Sequence, residues 1–523
     1  MASLTTELGN VGLTCRPDKC HCHCPVWTPQ EVRAKEGSYQ EFATLRADGL
    51  PCLGTAADGA YAQHLGGPDQ LVTAPARERL AKAEELCTEL KALCDAPVAT
   101  VRRHPAWRLL DSVVNHCLAY DASVSDPGTL VPLGRTLDLL VSDTACHILQ
   151  ADHLPPKALQ QLRLSRERGG CSLRSAEDRC YTAFMAAAVR VAPTWNSGRV
   201  RSIVSVVQET QSKLLEMGLR INRQGMPANA EEPSLIFPDD VQQPMPKRQK
   251  AWWDALEQLR HQTLADQFSQ RVEGTGRLES CGGPEGGAFL RGTTADGVSS
   301  IGDSHFVLAV RFRLGLTTMP SMACQHRPRG SQRVCGGRAD PLGHHAVTCK
   351  TGGAPYALHG QGCHILMGAM QQAGYQTLRE QVIPELATSE CKTPVLDLEG
   401  WSTRAMPRLL VDFTVRHPTA ARYRQSDGCN ASATVVAERE KQQHYPTRAG
   451  LGVTVAAMEV YGRFGHDLTC LLEQLSDLAQ QGDRAFGHKP GRWLHRWRVQ
   501  LSHATACFVG RAIQQALVPA ARQ

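Results

Sequence analysis

The segment PRLLVDFTV, from Pro407 to Val415, decides the fold of the C-terminal half of this chain. Its residues alternate as they do in a β-strand, where side chains point in turn to opposite faces of the sheet. One face carries four apolar residues, and the other carries Leu410, Asp412 and Thr414. Burying a carboxylate in an apolar strand is costly unless the carboxylate is paired or bound to a metal. Asp412 is therefore a candidate site residue.

The segments on either side of this strand predict a small α/β domain. VLDLEG, which precedes it, is typical of a neighbouring strand that carries Asp397. A hairpin between the two strands brings both carboxylates to one end of the sheet. ASATVVAEREKQQHY, which follows, favours a helix on which Glu438, Lys441 and Tyr445 face the same way. From about residue 353 onward, the periodicity predicts a helix, two or three strands, a helix and a strand.

Acidic residues followed by a lysine suit a divalent-metal site that cuts phosphodiesters. Mg²⁺ (or Mn²⁺) takes oxygen ligands, usually one or two carboxylates together with water and phosphate. We expect Asp397 and Asp412 to hold this metal. Glu438 is expected as a further acidic group, and Lys441 is expected to offset charge that develops on the phosphate. Glu380, on the helix predicted to precede the strands, is another acidic candidate.

Two plainer interpretations of these residues remain open. Glu438 and Lys441 lie three positions apart on a helix, and such pairs are commonly exposed and structural. Asp412 can equally cap a turn. The spacing alone does not decide between these interpretations and the metal site.

A cysteine/histidine knuckle precedes the α/β domain. A structural zinc site takes four cysteine or histidine ligands with short local spacing. Cys335 is followed by a Gly-Gly turn, and His344 and His345 lie shortly before Cys349. We therefore expect a Zn²⁺ ion to be bound by Cys335, by one of the two histidines and by Cys349. The alternative is a loop that contains these residues and binds no metal.

The fourth zinc ligand is open at this point. Cys324 is the first candidate, with His326 and His359 as rivals. A second cysteine/histidine run, Cys15 with Cys20 to Cys24, also suggests metal binding. Alternating ligands in a strand point to opposite faces, however, so that run needs partners from elsewhere in the chain.

Composition and charge place the chain among ordinary globular proteins. It has 523 residues, of which 42% are hydrophobic, and a formal net charge of +6, so the chain as a whole is not a basic nucleic-acid binder. From residue 488 to residue 523 there are six Lys/Arg residues and no Asp or Glu. Such a segment can follow a phosphate backbone or be a solvated helix face. The candidates for nucleic-acid binding are Lys489, Arg492, Arg496 and Arg498.

The chain has 20 cysteines but no recognisable signal peptide, so we expect reduced thiols in an intracellular protein. No apolar stretch reaches the length of a membrane span. The sequence predicts a multidomain protein with a mainly α N-terminal half, a small zinc knuckle and an α/β C-terminal domain. The predicted segments are residues 1–65, helices over 66–223, a linker over 224–250, a helical connector over 251–317, the knuckle over 318–352, the α/β domain over 353–480 and a basic C-terminal helix over 481–523.

At these residues the chain resembles the restriction-like endonuclease domain at the C-terminus of some non-LTR retrotransposon polyproteins, which has the PD-(D/E)XK nuclease fold. The family shows a Cys-Cys-His-Cys knuckle, an Arg-His pair that opens a helix, a Pro-Asp strand, an aspartate in a strand that ends in valine, and a displaced lysine in the next helix. The matching segments are GRADPLGHHAVTC, ALHGQG, PVLDLEG, LLVDFTVRHP, AEREKQQHY and VTVAAMEVYG.

The resemblance extends towards the N-terminus. LSRERGGCSLRSAEDRCYTAF is similar to the Gly-Gly-x-x-Leu-Arg-Ser element that follows the reverse transcriptase, which implies thumb-like helices over 66–223. LGNVGLTCRPDKC and LPCLGTAADG resemble the last palm motifs of that polymerase, so residues 1–65 are expected to be a remnant of the palm edge. The FPDD string at 237–240 lies in the predicted linker and is not expected to be the polymerase aspartate pair.

The resemblance implies a C-terminal fragment of a retrotransposon reverse transcriptase/endonuclease protein. The expected activity is metal-dependent DNA nicking that primes reverse transcription, without polymerase activity of this fragment. The expected partners are target DNA and element RNA, with no membrane and no small-molecule substrate, and the expected location is the nucleus. The alternative is a zinc-containing nucleic-acid-binding relic that does not catalyse.

Overall fold

The structure is a computed structural model that describes residues 74–97, 101–191, 201–221, 248–269, 275–291, 300–328, 331, 333–388, 392–402, 407–423, 433–445, 451–481 and 490–517, together with four two-residue strands at 21–22, 44–45, 51–52 and 55–56 and a fifth at 227–228. Most of the predicted cluster at Cys15 and Cys20–Cys24, the FPDD string, most of the predicted palm remnant and linker, and Lys489 lie outside the described residues. The described part is mostly helical, with one small mixed sheet.

The helices are α1 (Ala74–Asp95), α2 (Arg103–Ser112), α3 (Asp121–Val124), α4 (Pro127–Ile148), α5 (Pro156–Arg163), α6 (Ala176–Val191), α7 (Arg201–Glu216), α8 (Arg248–Ser269), α9 (Gly276–Cys281), α10 (Gly283–Gly286), α11 (Asp303–Leu314), α12 (His344–Thr348), α13 (Ala354–Gln372), α14 (Ala433–Gln442), α15 (His466–Gln481) and α16 (Pro490–Leu517). None of the described helices is long and apolar enough to cross a bilayer. The thirteen cysteines whose side chains are described are free thiols.

The strands are short except in one sheet. They are β1 (His21–Cys22), β2 (Thr44–Leu45), β3 (Pro51–Cys52), β4 (Thr55–Ala56), β5 (Arg220–Ile221), β6 (Pro227–Ala228), β7 (Met322–Ala323), β8 (Arg338–Ala339), β9 (Gln376–Val382), β10 (Val395–Trp401), β11 (Leu409–Arg416) and β12 (Val453–Glu459). The first eight form two-stranded ladders, and the last four form the mixed sheet.

Two compact units are built from interleaved segments of the chain. The first unit combines residues 1–89, 110–143 and 174–259, and the second unit combines residues 90–109, 144–173 and 260–523. A helical N-terminal half was predicted correctly. The interleaving was not predicted, because sequence patterns divide a chain only into consecutive segments. The finer division into seven segments stays a prediction.

The first unit is helical. Helix α1 lies within the predicted helical region 66–223, and residues at helical spacing along it, such as Leu80 and Cys87, are buried. Helices α6, α7 and α8 share a core around Met185, Leu214 and Trp252. Asp138 accepts the backbone N–H of Ala176 at 2.6 Å, which satisfies a donor that the first turn of a helix leaves open. The helical prediction for this region is therefore confirmed.

The Gly-Gly element of the second unit lies in a tight turn. Gly169 has a φ of +83°, where a side chain is strained, and a Cβ on Gly170 would lie 2.1 Å from the carbonyl oxygen of Leu164. The buried guanidinium of Arg313 donates to the carbonyl oxygens of Gly170 at 2.8 Å and Gly286 at 2.7 Å. Arg313 thus joins this turn to the glycine-rich segment around α10.

The second unit contains the predicted α/β arrangement. Helix α13 is followed by the antiparallel strands β9, β10 and β11, then by helix α14, and then by β12, which runs parallel to β11. The strand order is β12-β11-β10-β9. The predicted order of helix, strands, helix and strand is therefore confirmed. Glu380 was wrongly placed on a helix, since it lies in β9 with a φ of +53° and an exposed side chain.

Strand β11 shows the predicted alternation. Val411 and Phe413 are buried in one core, which also contains residues of α13, α15 and α16, whereas Leu410 belongs to a separate cluster with Tyr445 packed against it. Helix α16 contributes Trp493 and Trp497 to this core. Its C-terminal half contributes to another core, with residues of α11, α12 and the knuckle. The last helix therefore supports both the sheet and the knuckle.

Candidate functional site

The knuckle brings four ligand atoms together. Cys324, Cys335, His345 and Cys349 each offer one, and these atoms all lie within 4.8 Å of one another. The Sγ atoms of Cys324 and Cys349 are 3.9 Å apart, and the Sγ of Cys335 is 3.6 Å from Nε2 of His345. Three sulfurs and one imidazole are a common tetrahedral zinc set. The cluster could therefore hold a metal such as zinc.

Short backbone contacts hold the knuckle in shape. The N–H of Cys324 donates to the carbonyl of Gly337 at 2.8 Å, and the N–H of Cys335 donates to the carbonyl of His326 at 2.8 Å. The carboxylate of Asp340 accepts the N–H groups of His344 at 3.2 Å and of His345 at 2.7 Å. Because these bonds fix the start of α12, they orient the histidine pair.

The sequence left open whether His344 or His345 is the zinc ligand, and the two side chains have different partners in the structure. His345 faces Cys335, whereas Nε2 of His344 lies 3.2 Å from the hydroxyl of Tyr461, and its ring packs edge-on to His417. His326 is also engaged elsewhere, because its Nε2 contacts the carbonyl oxygen of Ala512 at 3.0 Å. The ligand set in the described residues is therefore Cys324, Cys335, His345 and Cys349, without His344.

The thiols of the knuckle differ in their surroundings. A hydrogen bond from the backbone of Gly337 lowers the pKa of Cys335 to about 6. Burial raises the pKa of Cys324 to about 12. Metals bind the thiolate form of cysteine. The lowered pKa of Cys335 favours this form, whereas Cys324 has to lose a proton when a metal binds.

The second cluster of site residues lies where strands β10 and β11 separate. The last paired positions of the two strands are Leu398 and Val411, so Asp397 and Asp412 lie side by side beyond the ladder. Oδ2 of Asp397 accepts the backbone N–H of Phe413 at 2.7 Å. A side chain thus replaces the strand partner that Phe413 lacks at this point. The two carboxylates meet as the hairpin predicted.

Lys441 and Tyr445 both contact Asp412. Nζ of Lys441 donates to Oδ1 at 2.5 Å, and the hydroxyl of Tyr445 donates to Oδ2. Burial raises the pKa of Asp412, since its side chain is only 8% exposed, and the charge of Asp397 adds to this effect, whereas Lys441 and Tyr445 oppose it. Lys441 lies on α14 and Tyr445 lies just beyond its end, so the predicted helix face with Glu438, Lys441 and Tyr445 does not form as such, but Lys441 and Tyr445 both contact Asp412, which is paired rather than isolated.

His359 is a partner of Asp397 that the metal-site pattern did not include. Its Nε2 lies 3.2 Å from Oδ2 of Asp397 and 3.0 Å from the carbonyl oxygen of Phe413. Because both partners accept, this nitrogen carries a proton. The hydrogen bond to Asp397 raises the pKa of His359 to about 10. Although burial opposes it, the same contact lowers the pKa of Asp397.

Glu438 has a different partner from the one predicted. Its Oε1 accepts the backbone N–H of Asp467 at 3.2 Å, at the start of α15, and lies against Gly465. Burial raises the pKa of this carboxyl group. Glu459 has a similar position at another helix, where it accepts the N–H of Thr434 at 3.1 Å at the start of α14. The acidic residues that meet are therefore Asp397 and Asp412, and the role predicted for Glu438 stays a prediction.

The basic C-terminal segment is part of the protein core over much of its length. Arg498 forms ion pairs with Glu285 at 3.1 Å and Glu473 at 3.4 Å. Arg496 lies over the ring of Trp497, with 5.4 Å between the guanidinium carbon and the ring centroid. Arg492 is exposed. Nucleic-acid binding by these arginines stays a prediction, and among the three Arg492 is the one whose side chain is open to solvent.

The two acidic residues have the number of carboxylates that a Mg²⁺ ion needs. One or two carboxylates with water and phosphate are a usual magnesium set. Each oxygen of Asp412 already accepts one hydrogen bond, from Lys441 or from Tyr445. A metal at Asp412 would therefore use a remaining lone pair of one oxygen or displace one of these donors.

Comparison with known proteins adds no identification. No protein-family model matches this chain, and no curated protein shows significant sequence similarity to it.

Proposed function

We propose that the second unit is a metal-dependent DNA endonuclease related to the restriction-like nucleases of non-LTR retrotransposons. The observation that carries this proposal is the meeting of Asp397, Asp412 and Lys441 where β10 and β11 separate. Two carboxylates and a lysine at a splayed strand pair suit phosphodiester cleavage. The order of knuckle, helix with His359, strand, strand and helix with the lysine also agrees with the resemblance.

The residues have separate roles in this proposal. Asp397 and Asp412 would hold Mg²⁺ or Mn²⁺, which supplies Lewis acidity toward the phosphate and lowers the pKa of a water. Lys441, released from Asp412, offsets the negative charge that grows on the phosphate. His359 holds Asp397 in its charged form and fixes its orientation through Oδ2. The knuckle would hold Zn²⁺ as a structural ion.

Retrotransposon origin gives this nuclease a biological role. Nicking of target DNA supplies the 3′-hydroxyl from which element RNA is copied, so target DNA and element RNA are the proposed partners and the nucleus the proposed location. The polymerase would reside outside this fragment. Arg492 is the proposed contact of α16 with the phosphate backbone, since it is exposed.

Nicking of supercoiled plasmid in Mg²⁺ tests the proposed activity. Asp412→Ala is expected to abolish nicking, because it removes the carboxylate between the metal and Lys441. The control is Glu399→Gln on strand β10, whose carboxylate pairs with Arg408 at 2.7 Å and not with the acidic pair. Equal nicking by Asp412→Ala and the unaltered protein would overturn the assignment.

A second candidate function is non-catalytic nucleic-acid binding by a zinc-containing relic. It is favoured by the internal donors that satisfy both oxygens of Asp412, and by the engagement of Glu438 at α15. Here DNA binding persists in EDTA at a concentration that leaves zinc bound, and Mg²⁺ produces no cleavage. The two functions are therefore separated by one cleavage assay and one binding assay.

A further inference from the structure

A histidine, a cysteine and an aspartate form a third ligand cluster, beside the acidic pair. His359 and Cys363 lie four positions apart on α13, so both side chains point from the same side of the helix. Sγ of Cys363 is 3.9 Å from Nδ1 of His359, and Nε2 of the same ring is 3.2 Å from Asp397. One ligand atom from each residue lies within 4.8 Å of the other two.

We propose that His359, Cys363 and Asp397 form an inhibitory binding site for a thiophilic divalent ion, of which Zn²⁺ is the representative. Zinc accepts one nitrogen, one sulfur and one oxygen, in sites with three protein ligands and an open fourth position. Bonds of about 2.0–2.3 Å put neighbouring ligand atoms roughly 3.3–3.8 Å apart. The three ligand atoms, which now lie within 4.8 Å of one another, would have to close by about 1 Å to reach that geometry.

The surroundings of the three residues agree with a three-ligand site. Cys363 is fully buried, so its sulfur faces the protein, whereas His359 and Asp397 are 36% and 21% exposed. An ion held by them keeps one side towards solvent. The ion would take the place of the proton that His359 now shares with Asp397, and Cys363 would release its thiol proton.

Inhibition follows from the position of Asp397. A zinc ion on Oδ2 competes with the hydrogen bond that fixes Asp397 at Phe413, and it takes a carboxylate from the Mg²⁺ site. The inhibitory effect rests on the proposed nuclease function, but the metal site itself does not. Binding and nicking therefore need separate measurements.

Zinc content after equilibrium dialysis against micromolar Zn²⁺ tests the site directly. Cys363→Ser is expected to hold one ion fewer per chain than the unaltered protein. Cys470→Ser is a matched control, since Cys470 also lies four positions after a histidine on a helix, with its Sγ 3.5 Å from His466 Nε2, but is not part of a three-ligand cluster in the described residues. This control should keep the full zinc content.

Co²⁺ provides a second readout. Added to protein whose knuckle already holds zinc, Co²⁺ should give thiolate-to-metal absorption that is lost in Cys363→Ser and kept in Cys470→Ser. His359→Gln and Asp397→Asn should weaken this Co²⁺ absorption. These two variants test the site if Cys363→Ser fails to fold. Equal zinc content and equal absorption in the unaltered protein and Cys363→Ser, or an equal loss in Cys470→Ser, would overturn the site.

The nicking assay then tests inhibition. Micromolar Zn²⁺ should slow the Mg²⁺-supported nicking rate at least tenfold in the unaltered protein. In Cys363→Ser the same addition should leave the rate nearly unchanged. If no nicking occurs under any condition, the proposed function fails while the zinc content still decides the site. If nicking occurs and zinc slows both proteins equally, the inhibition is refuted and the nuclease stands.

Discussion

The carboxylate of Asp397 accepts the backbone N–H of Phe413 at 2.7 Å, where strand β10 no longer pairs with β11. One side chain therefore has two tasks. It completes the hydrogen bonding of the sheet, and it contributes charge to the acidic pair. The two tasks are separable, because the first needs only an acceptor and the second needs an ionised carboxylate.

Asparagine and alanine at position 397 should separate these tasks. Asp397→Asn keeps an acceptor for Phe413, so its cost in the free energy of unfolding is that of the charged contact with His359, which Asp397→Ala loses as well. Asp397→Ala leaves the N–H without its partner and should cost about 1–3 kcal/mol. Both variants should lose Mg²⁺-dependent nicking. Urea denaturation and plasmid nicking measure the two effects, and equal stability of both variants would contradict the sheet role.

Replacement of Lys441 should affect both stability and nicking. Lys441→Met leaves Asp412 buried without its cation, at a cost of about 1–3 kcal/mol in the free energy of unfolding. Nicking should fall by about 100-fold or more, since the charge that opposes the phosphate is lost. Arg439→Met, on an exposed position of the same helix, is the control and should change neither quantity appreciably. Nicking that falls equally in both variants would argue against a specific role for Lys441.

The two adjacent histidines of the knuckle should differ in their effect on zinc. His345→Ala should lose the ion, because His345 faces Cys335, whereas His344→Ala should keep it, because His344 contacts Tyr461. Loss of the ion should lower the free energy of unfolding on the order of 3 kcal/mol or more. Zinc content by elemental analysis and calorimetric melting measure these outcomes, and retention of zinc by His345→Ala would refute the ligand set.

The contact between His359 and Asp397 should make stability depend on pH. The pKa of His359 is raised from 6.5 to about 10 in the folded protein. The charged pair therefore contributes fully below pH 6.5, and its contribution is lost as the pH rises through about 10. The difference in free energy of unfolding between the unaltered protein and His359→Gln should shrink over that interval. An NMR titration that finds the imidazole of His359 neutral at pH 8 would contradict the raised pKa.

Glu438→Gln should leave both the fold and the acidic pair nearly intact. The side chain accepts the N–H of Asp467 at the start of α15, and burial raises the pKa of its carboxyl group, so the folded protein does not depend on the negative charge. An amide oxygen keeps the acceptor, and we expect a change of less than about 1 kcal/mol in stability and nicking within a few-fold of the unaltered rate. A complete loss of nicking in well-folded Glu438→Gln would instead support the catalytic role predicted from sequence.

The sequence predicted what depends on local periodicity. Alternation in β11 identified which side of the strand carries Asp412. The helical pattern of residues 431–445 likewise identified the helix that carries Lys441. These properties follow from the repeat of two residues in a strand and of 3.6 residues in a helix, so they can be predicted without knowledge of distant segments.

What depends on tertiary partners was not predicted. Glu438 lies three positions from Lys441, yet its carboxylate contacts the start of α15, which is distant in sequence. Glu380 was predicted to lie on the helix that precedes the strands, but pairing with β10 makes its segment a strand. The contact of His359 with Asp397 joins a helix to a strand, so no spacing rule reveals it.

Helix α16 packs against the sheet through Trp493 and Trp497 and against the knuckle through Val509 and Ile513. Both sites therefore depend on one helix. Truncation of the chain ahead of residue 490 would remove this shared support and expose two hydrophobic surfaces at once, although the proposed zinc ligands and the acidic pair would still be present. Loss of α16 should therefore be as damaging as mutation of the acidic pair.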